Sequence, residues 1–495
     1  MSMVRFRTLG LAALAFVALG CVALAGSAAA QSAAPALSAA DLALAEAFIA
    51  TANSADPRVR DAFLARHMAA KPMLPPAEFP LILQRIGATS GGVRLTSASR
   101  RGRFIRLIVQ AANGRTARID LDVDPAAPDS LLGVLPVATP TPYEGPRLTA
   151  PASRRELAEA IDRRVRFSAE RDDFSGAVLV MKGAEVIYQG AFGQADKDLG
   201  APVTLDSRFN LGSMDKQFTA VAIAQLVEQG RLSLDSRLID VLPDYPNRDA
   251  AQKITIRHLL THSAGLGMLW ERPKWERLTT FRRMSDLLPV FAAEPLAFEP
   301  GTQSDYANEG FLVLGAVVEK VSGQSWYDYV QKNVFDRAGM SHTGYPALDE
   351  IAPGRAVGYR FGDDDPLGFG ARRPNWTIAV WRGNACGGGY STVGDMIRFL
   401  QALRDGRLIK PETAALFTTA APHGLADYGM GFENARAANG RTIRGHNGGG
   451  PQSGINSEAK IVWETGYAYA VLGNYDAPFA QALGGDIAEM LALQD

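Results

Sequence analysis

Cys21 and Cys386 are the only cysteines in 495 residues. If the first is lost with a targeting segment, no internal disulfide is possible. The protein must then be held by its hydrophobic core, which a chain of this length can build. An excess of either charge is also missing. With 51 basic and 52 acidic residues the formal net charge is -1, which excludes an electrostatic case for nucleic acid or an anionic membrane as partner. A composition of 47% hydrophobic and 21% charged residues excludes a disordered chain. The length exceeds one ordinary core and predicts two domains plus a targeting segment.

That segment is the first thirty residues. Arg5 and Arg7 precede an apolar run from Leu9 to Ala25, and Ala28-Ala29-Ala30 supplies small residues before Gln31. This is the layout of a secretory signal peptide cleaved after Ala30. An uncut anchor is disfavoured by the shortness of the run, since a span takes about 20 residues. Lipid attachment at Cys21 is disfavoured because Ala18-Leu19-Gly20 is a poor lipobox and the apolar run continues past it. The expected product is exported, periplasmic or secreted, without stable membrane insertion. It carries 49 basic against 52 acidic residues.

Residues 31–138 read as a small α+β domain. Ser38 is placed to cap helices running to about Met73, with Leu42, Leu44, Ala45 and Phe48 near helical spacing. Strands follow at Gly91 to Ser99, Arg103 to Gln110 and Arg115 to Val123, the last two joined by the turn signal Asn113-Gly114. Arg100, Arg101, Arg103 and Arg106 read as a solvated sheet face. Pro136, Pro140, Pro142, Pro146 and Pro151 mark a linker, placed at residues 139–152. The second domain, 153–495, opens with a helix from Ser153 to Ala169. Strands at Phe174 to Lys182 and Glu185 to Phe192 turn at Gly183. Further strands come at Arg441 to Gly445, Gly454 to Trp463 and Tyr467 to Leu472, and a helix from Pro478 to Leu493 closes the chain. Strands at both ends bracket a helical middle. The simplest packing is one antiparallel sheet built from both ends and covered by helices.

The pattern Ser-x-x-Lys occurs twice, at Ser213…Lys216 and Ser457…Lys460. The first opens an apolar helix, with Phe218, Val221, Ala222, Gln225 and Leu226 at helical spacing and Gly230 as its stop. Positions i and i+3 share a helix face, so Lys216 reaches the Ser213 hydroxyl. Burial of the ammonium among apolar groups is expected to make it a usable base. Ser457 and Lys460 lie in a strand pattern, where their side chains leave on opposite faces. That copy reads as coincidence. Tyr306-Ala307-Asn308 lies in a polar turn before a helix from Phe311 to Val321. The phenol is suited to proton transfer, and the carboxamide to binding a substrate amide and orienting Lys216. His446-Asn447-Gly448-Gly449-Gly450 ends a strand. Its glycines admit a substrate backbone along the edge, and the N–H groups of Gly449 and Ser213 suit an oxyanion hole. Taken singly, the last two elements are more often a buried tyrosine in a turn and a strand bulge.

Together and in this order, the three elements resemble the serine β-lactamase and penicillin-binding protein superfamily. The likeness is strongest to the branch of class C β-lactamases, D-alanyl-D-alanine carboxypeptidases and related esterases, and it covers about Ser153 to Asp495. Ile254 to Leu266, Val334 to Met340 and Gly387 to Thr392 match the branch as well. The resemblance implies a β-lactamase-like sheet with a helical insertion, Ser213 as nucleophile, and Lys216 and Tyr306 as proton-transfer groups. It also implies Asn308, with Asn447 and Gly448, at the substrate, His446 and Gly449 in the third motif, and no metal or cofactor. That pattern usually has Lys at the position of His446. Histidine resembles a subset of peptidases and esterases, and turns the expectation away from β-lactam hydrolysis and from strong recognition of a carboxylate.

The expected reaction is acyl transfer from a D-amino peptide or small ester to water. The alternatives are a true β-lactamase, or a non-catalytic protein binding cell-wall peptide on the same scaffold. The expected partner is a small-molecule or peptide substrate, and the sequence fixes no oligomeric state. His258 and His262 stand at i,i+4, a zinc-ligand spacing, but no Glu accompanies His258 and no third ligand is evident, so zinc is not expected. Cys386, in Ala385-Cys386-Gly387-Gly388-Gly389 with no histidine near it, reads as a small buried thiol rather than a nucleophile.

Overall fold

The computed structural model describes residues 37–69, 78–266 and 281–495, apart from 363, 366, 423 and 451. The signal-like segment, and the end of the helical stretch expected to reach Met73, lie outside the described residues. The first unit begins with α1 (Ala39–Ala52), α2 (Pro57–His67) and α3 (Glu78–Ser90). Ser38 caps α1 in a capping box with Asp41. A four-stranded antiparallel sheet follows: β1 (Val93–Arg101), β2 (Phe104–Ala111), β3 (Thr116–Asp124) and β4 (Ala127–Ala138), in that order. Strand alternation puts Ile105, Leu107 and Val109 of β2 on one face, where they meet Phe48, Leu83 and Ile86 of the helices.

Helix α3 and strand β4 are additions to the elements expected. Strand β4 hides in the sequence behind Pro136, which reads as linker. Pro136 lies opposite Ile119 in the outermost strand, where its missing N–H costs no ladder bond on the open side. The arginine cluster is more than a solvated face. Arg106 Nε lies 2.9 Å from Asp120, Arg103 Nε 2.7 Å from Asp122, and Arg100 pairs with Asp41 of α1. The unit is also not packed alone: Leu367 and Phe369 of the second unit are buried in its core, and Asn113 Nδ2 donates to Phe369 O at 3.4 Å.

The longer elements of the second unit are α4 (Arg154–Glu170), β5 (Gly176–Lys182), β6 (Glu185–Phe192), α5 (Lys216–Glu228), α6 (Asn308–Ser322) and α7 (Val393–Arg404). Strands β7 (Glu433–Arg436), β8 (Thr442–Gly450), β9 (Ile455–Val462) and β10 (Tyr467–Gly473) and helix α8 (Phe479–Ala492) complete it. The sheet order is β7-β8-β9-β10-β5-β6, all antiparallel. The two ends of the chain therefore meet at β10 and β5, as the strand pattern predicts. Alternation along β10 sends Tyr467, Tyr469 and Val471 toward α4 and α8, and Ala468, Ala470 and Leu472 toward α5, α6 and α7. The candidate site residues gather at the β8 end of this second layer. Among the described residues no helix is long and apolar enough to cross a membrane.

Candidate active site

Ser213 stands in a single 3-10 turn, Gly212–Asp215, that leads directly into α5. Buried Leu211, Met214 and Phe218 pin the turn to the core and leave Ser213 half-buried at the rim. The turn is held from two sides. Leu211 N–H donates to Gly389 O at 2.7 Å and Gly389 N–H to Asp215 Oδ2 at 2.6 Å. From the sheet, Ser457 Oγ donates to Asn210 O at 2.9 Å. Burial pushes the Asp215 carboxyl up to about 8, against the pull of the Gly389 N–H and of Lys216.

Lys216 is fully buried one helical turn from Ser213. Its Nζ donates to Asn308 Oδ1 and to Cys386 O, each at 2.7 Å, and lies 4.8 Å from the centre of the Tyr306 ring. The surroundings are thus less apolar than the sequence implies, because two carbonyl oxygens face the ammonium. Asn308 is the first residue of α6, which starts three positions before the expected Phe311. Cys386 is half-buried rather than buried; burial pushes its thiol up to about 12, and its carbonyl is the group in use.

Tyr306 stacks on His262 at 4.3 Å between ring centres. His262 is fully buried, and its Nδ1 accepts the Ala307 N–H at 3.2 Å. Burial first, then the charge of Lys216, holds its imidazole well below the usual range, so it is a neutral wedge behind Tyr306. The helix carrying His258 spans Ile256–Leu260, and His262 lies past its end with φ 58°. His258 caps its own helix, accepting the Thr255 N–H at 3.3 Å. The zinc-like spacing therefore places no two imidazoles on one helix face. Among the described residues no three His, Cys, Asp or Glu side chains are grouped to hold a metal.

His446 lies within β8, which runs on to Gly450 instead of stopping at Gly445. The ring is 2% exposed. Its Nε2 is 3.0 Å from the Tyr428 hydroxyl and its Nδ1 is 2.5 Å from Asn447 O. The carbonyl accepts from Nδ1–H, so the tautomer assigned by the network makes Nε2 the acceptor of the Tyr428 O–H. Burial carries the imidazole down to about 4, although Glu433, 3.7 Å from Nδ1, works the other way. Asn447 N–H donates to Glu433 Oε1 at 3.3 Å, and its Oδ1 accepts from Gln481 Nε2 at 3.2 Å. Gly448 is required by contact: a Cβ there would lie 1.8 Å from Leu211 O and 2.8 Å from Ser213 N. In the same crossing a Cβ on Gly212 would lie 2.5 Å from Gly449 N. The strand edge and the Ser213 turn touch backbone to backbone.

One cleft is lined by Ser213, Tyr306, Tyr428, Glu433, His446 and Gly449, with Asn447 at its wall. Lys216 and Asn308 sit behind it. Sequence reasoning missed Tyr428, Glu433 and, as a support of Tyr306, His262. The only local signal among them is the positive φ of His262, which a sequence does not display.

A family model described as Beta-lactamase matches residues 161–494. Penicillin-binding protein 4* of Bacillus subtilis (strain 168) is 29% identical over 296 residues, 57% of this chain; the alignment spans 64% of that relative's length. Esterase EstB of Burkholderia gladioli is 31% identical over 276 residues, covering 50% of this chain and 67% of the esterase. The crystal structure of a penicillin binding protein from Bacillus halodurans superposes with a TM-score of 0.58 at 30% identity, covering 69% of this chain and 99% of that one.

Proposed function

The chain belongs to the beta-lactamase family, and from that premise we propose that it is a serine hydrolase working through an acyl-enzyme at Ser213. The observation that carries the reading is the fully buried Lys216, held by Asn308 and Cys386 O beside Tyr306, directly behind the cleft that Ser213 lines. Ser213 Oγ attacks the carbonyl carbon, and its proton passes to the Tyr306 and Lys216 pair. The N–H groups of Ser213 and Gly449, on the two backbones that cross at Gly448, receive the oxyanion. The tetrahedral intermediate collapses with protonation of the leaving group, and water releases the acyl chain by the same steps.

The substrate proposed is a D-amino peptide or a small ester. A neutral His446, where the family pattern usually has lysine, supports neutral acyl donors over carboxylate-bearing β-lactams. The 31% identity to an esterase supports the same side. Export is proposed from the layout of the first thirty residues, with Gln31 as the first residue of the mature chain. Purified protein treated with a fluorophosphonate, then screened against D-Ala-D-Ala peptides, chromogenic esters and a cephalosporin, tests the reading. Adduct at Ser213 with ester or peptide turnover supports it. No adduct and no turnover, with retained binding of cell-wall peptide, replaces it with a binding protein. Efficient cephalosporin hydrolysis replaces the substrate class.

A further inference from the structure

We propose that Lys460 is a positioning residue of the active site, acting through Glu433 on the strand that presents His446 and Asn447. The inference rests on the reading of Ser213 as the acylated residue. Glu433 of β7, Gly445 of β8 and Lys460 of β9 form one cross-strand row. Lys460 is buried, and its Nζ lies 2.9 Å from Glu433 Oε2 and 3.2 Å from Glu458 Oε2. The lysine spans the row because its middle member has no side chain. A Cβ on Gly445 would lie 2.7 Å from Lys460 Cγ and 2.2 Å from Ala459 O.

Glu433 is the end of the row that meets the chemistry. It lines the cleft with Ser213 and Tyr306, takes the Asn447 N–H on Oε1, and stands 3.7 Å from His446 Nδ1. A buried carboxylate facing a neutral imidazole would ordinarily take up a proton. Burial does push Glu433 that way, but the charge and hydrogen bond of Lys460, together with the Asn447 N–H, hold the carboxyl below its usual value. As an anion Glu433 can only accept, so it keeps the Asn447 N–H and favours the tautomer with hydrogen on Nδ1. That leaves Nε2 without hydrogen, as the acceptor of the Tyr428 O–H. Glu458 shares the lysine, but its other oxygen takes the Tyr469 hydroxyl at 2.5 Å, away from the cleft.

The test compares the full chain with Glu433→Gln, Lys460→Met and Glu458→Gln. It measures the rate of fluorophosphonate acylation, the thermal midpoint and the ring 15N shifts of His446. Glu433→Gln and Lys460→Met are expected to acylate about 10- to 100-fold more slowly, the scale of a misplaced site, and to shift the His446 nitrogens. Glu458→Gln is expected to lower the midpoint while keeping the wild-type acylation rate and shifts. Lys460→Met strands two buried carboxylates, so where it fails to fold Glu433→Gln alone decides. A folded Glu433→Gln protein that acylates at the wild-type rate overturns the inference while leaving Ser213 in place. A wild-type protein that never labels overturns the Ser213 reading and this inference with it.

Discussion

Ser213…Lys216 and Ser457…Lys460 share a spacing, and their surroundings give the same letters different work. In the first copy the chain coils, so serine and lysine stand one turn apart, and the ammonium donates to two neutral carbonyl oxygens. In the second copy the chain is extended: Ser457 anchors Asn210 on one face while Lys460 lies between two carboxylates on the other. Burial opposes the charge of Lys460, yet Glu433 and Glu458 hold it above its ordinary value. A lysine so held stays protonated and has no use as a base. Secondary structure, together with the charge of the facing acceptors, separates the pair proposed to react from the pair that braces the sheet.

The largest expected effect breaks the comparison outright if it fails. Ser213→Ala should abolish fluorophosphonate labelling and reduce ester turnover by more than about a thousandfold, with the thermal midpoint unchanged. A peptide map showing adduct on Ser457 would reverse the two assignments. Next, Lys216→Ala and Tyr306→Phe should each slow acylation by about a hundredfold or more, the usual scale for a proton-transfer group. Stopped-flow release of a chromogenic leaving group measures it, and near-normal rates in both would mean another base serves Ser213. A smaller effect sharpens the contrast. Ser457→Ala removes one hydrogen bond to Asn210, just ahead of the Ser213 turn, and should cost about 1 kcal/mol of stability in urea unfolding. Labelling at Ser213 should persist.

Local patterns made the first copy legible: an apolar helix behind Ser213, and glycines after His446. The strand alternation at both chain ends made the central sheet legible too. What escaped was non-local. Glu433 and Lys460 are 27 residues apart and meet only through the β7-β8-β9 register, which no local pattern encodes. Tyr428 precedes β7 and reaches His446 only once β7 and β8 have paired. Strand β4 was lost to Pro136, whose turn-like character is overridden at a sheet edge.

The smallest expected effect is one that should be missing, and it arises where the two lysines converge. Lys216 and Lys460 both disfavour a cationic His446, and burial, the larger cause, does the same. The imidazole therefore titrates at about 4 in the folded protein against 6.5 for an ordinary histidine. Between those values the folded state binds fewer protons than the unfolded chain. The contribution of His446 to stability is thus complete above pH 6.5 and declines as the pH falls toward about 4. In kinetics, kcat/KM for a neutral ester should show no inflection near pH 6.5 from this residue. His446→Lys puts a nearly permanent charge at that point of the cleft. It should improve acylation by a carboxylate-bearing β-lactam more than acylation by the ester at pH 7. A wild-type profile bending at 6.5, accompanied by NMR titration of His446 at that pH, would show a cationic ring within reach of substrate. Equal gains for both substrates in His446→Lys would show that the position does not read substrate charge.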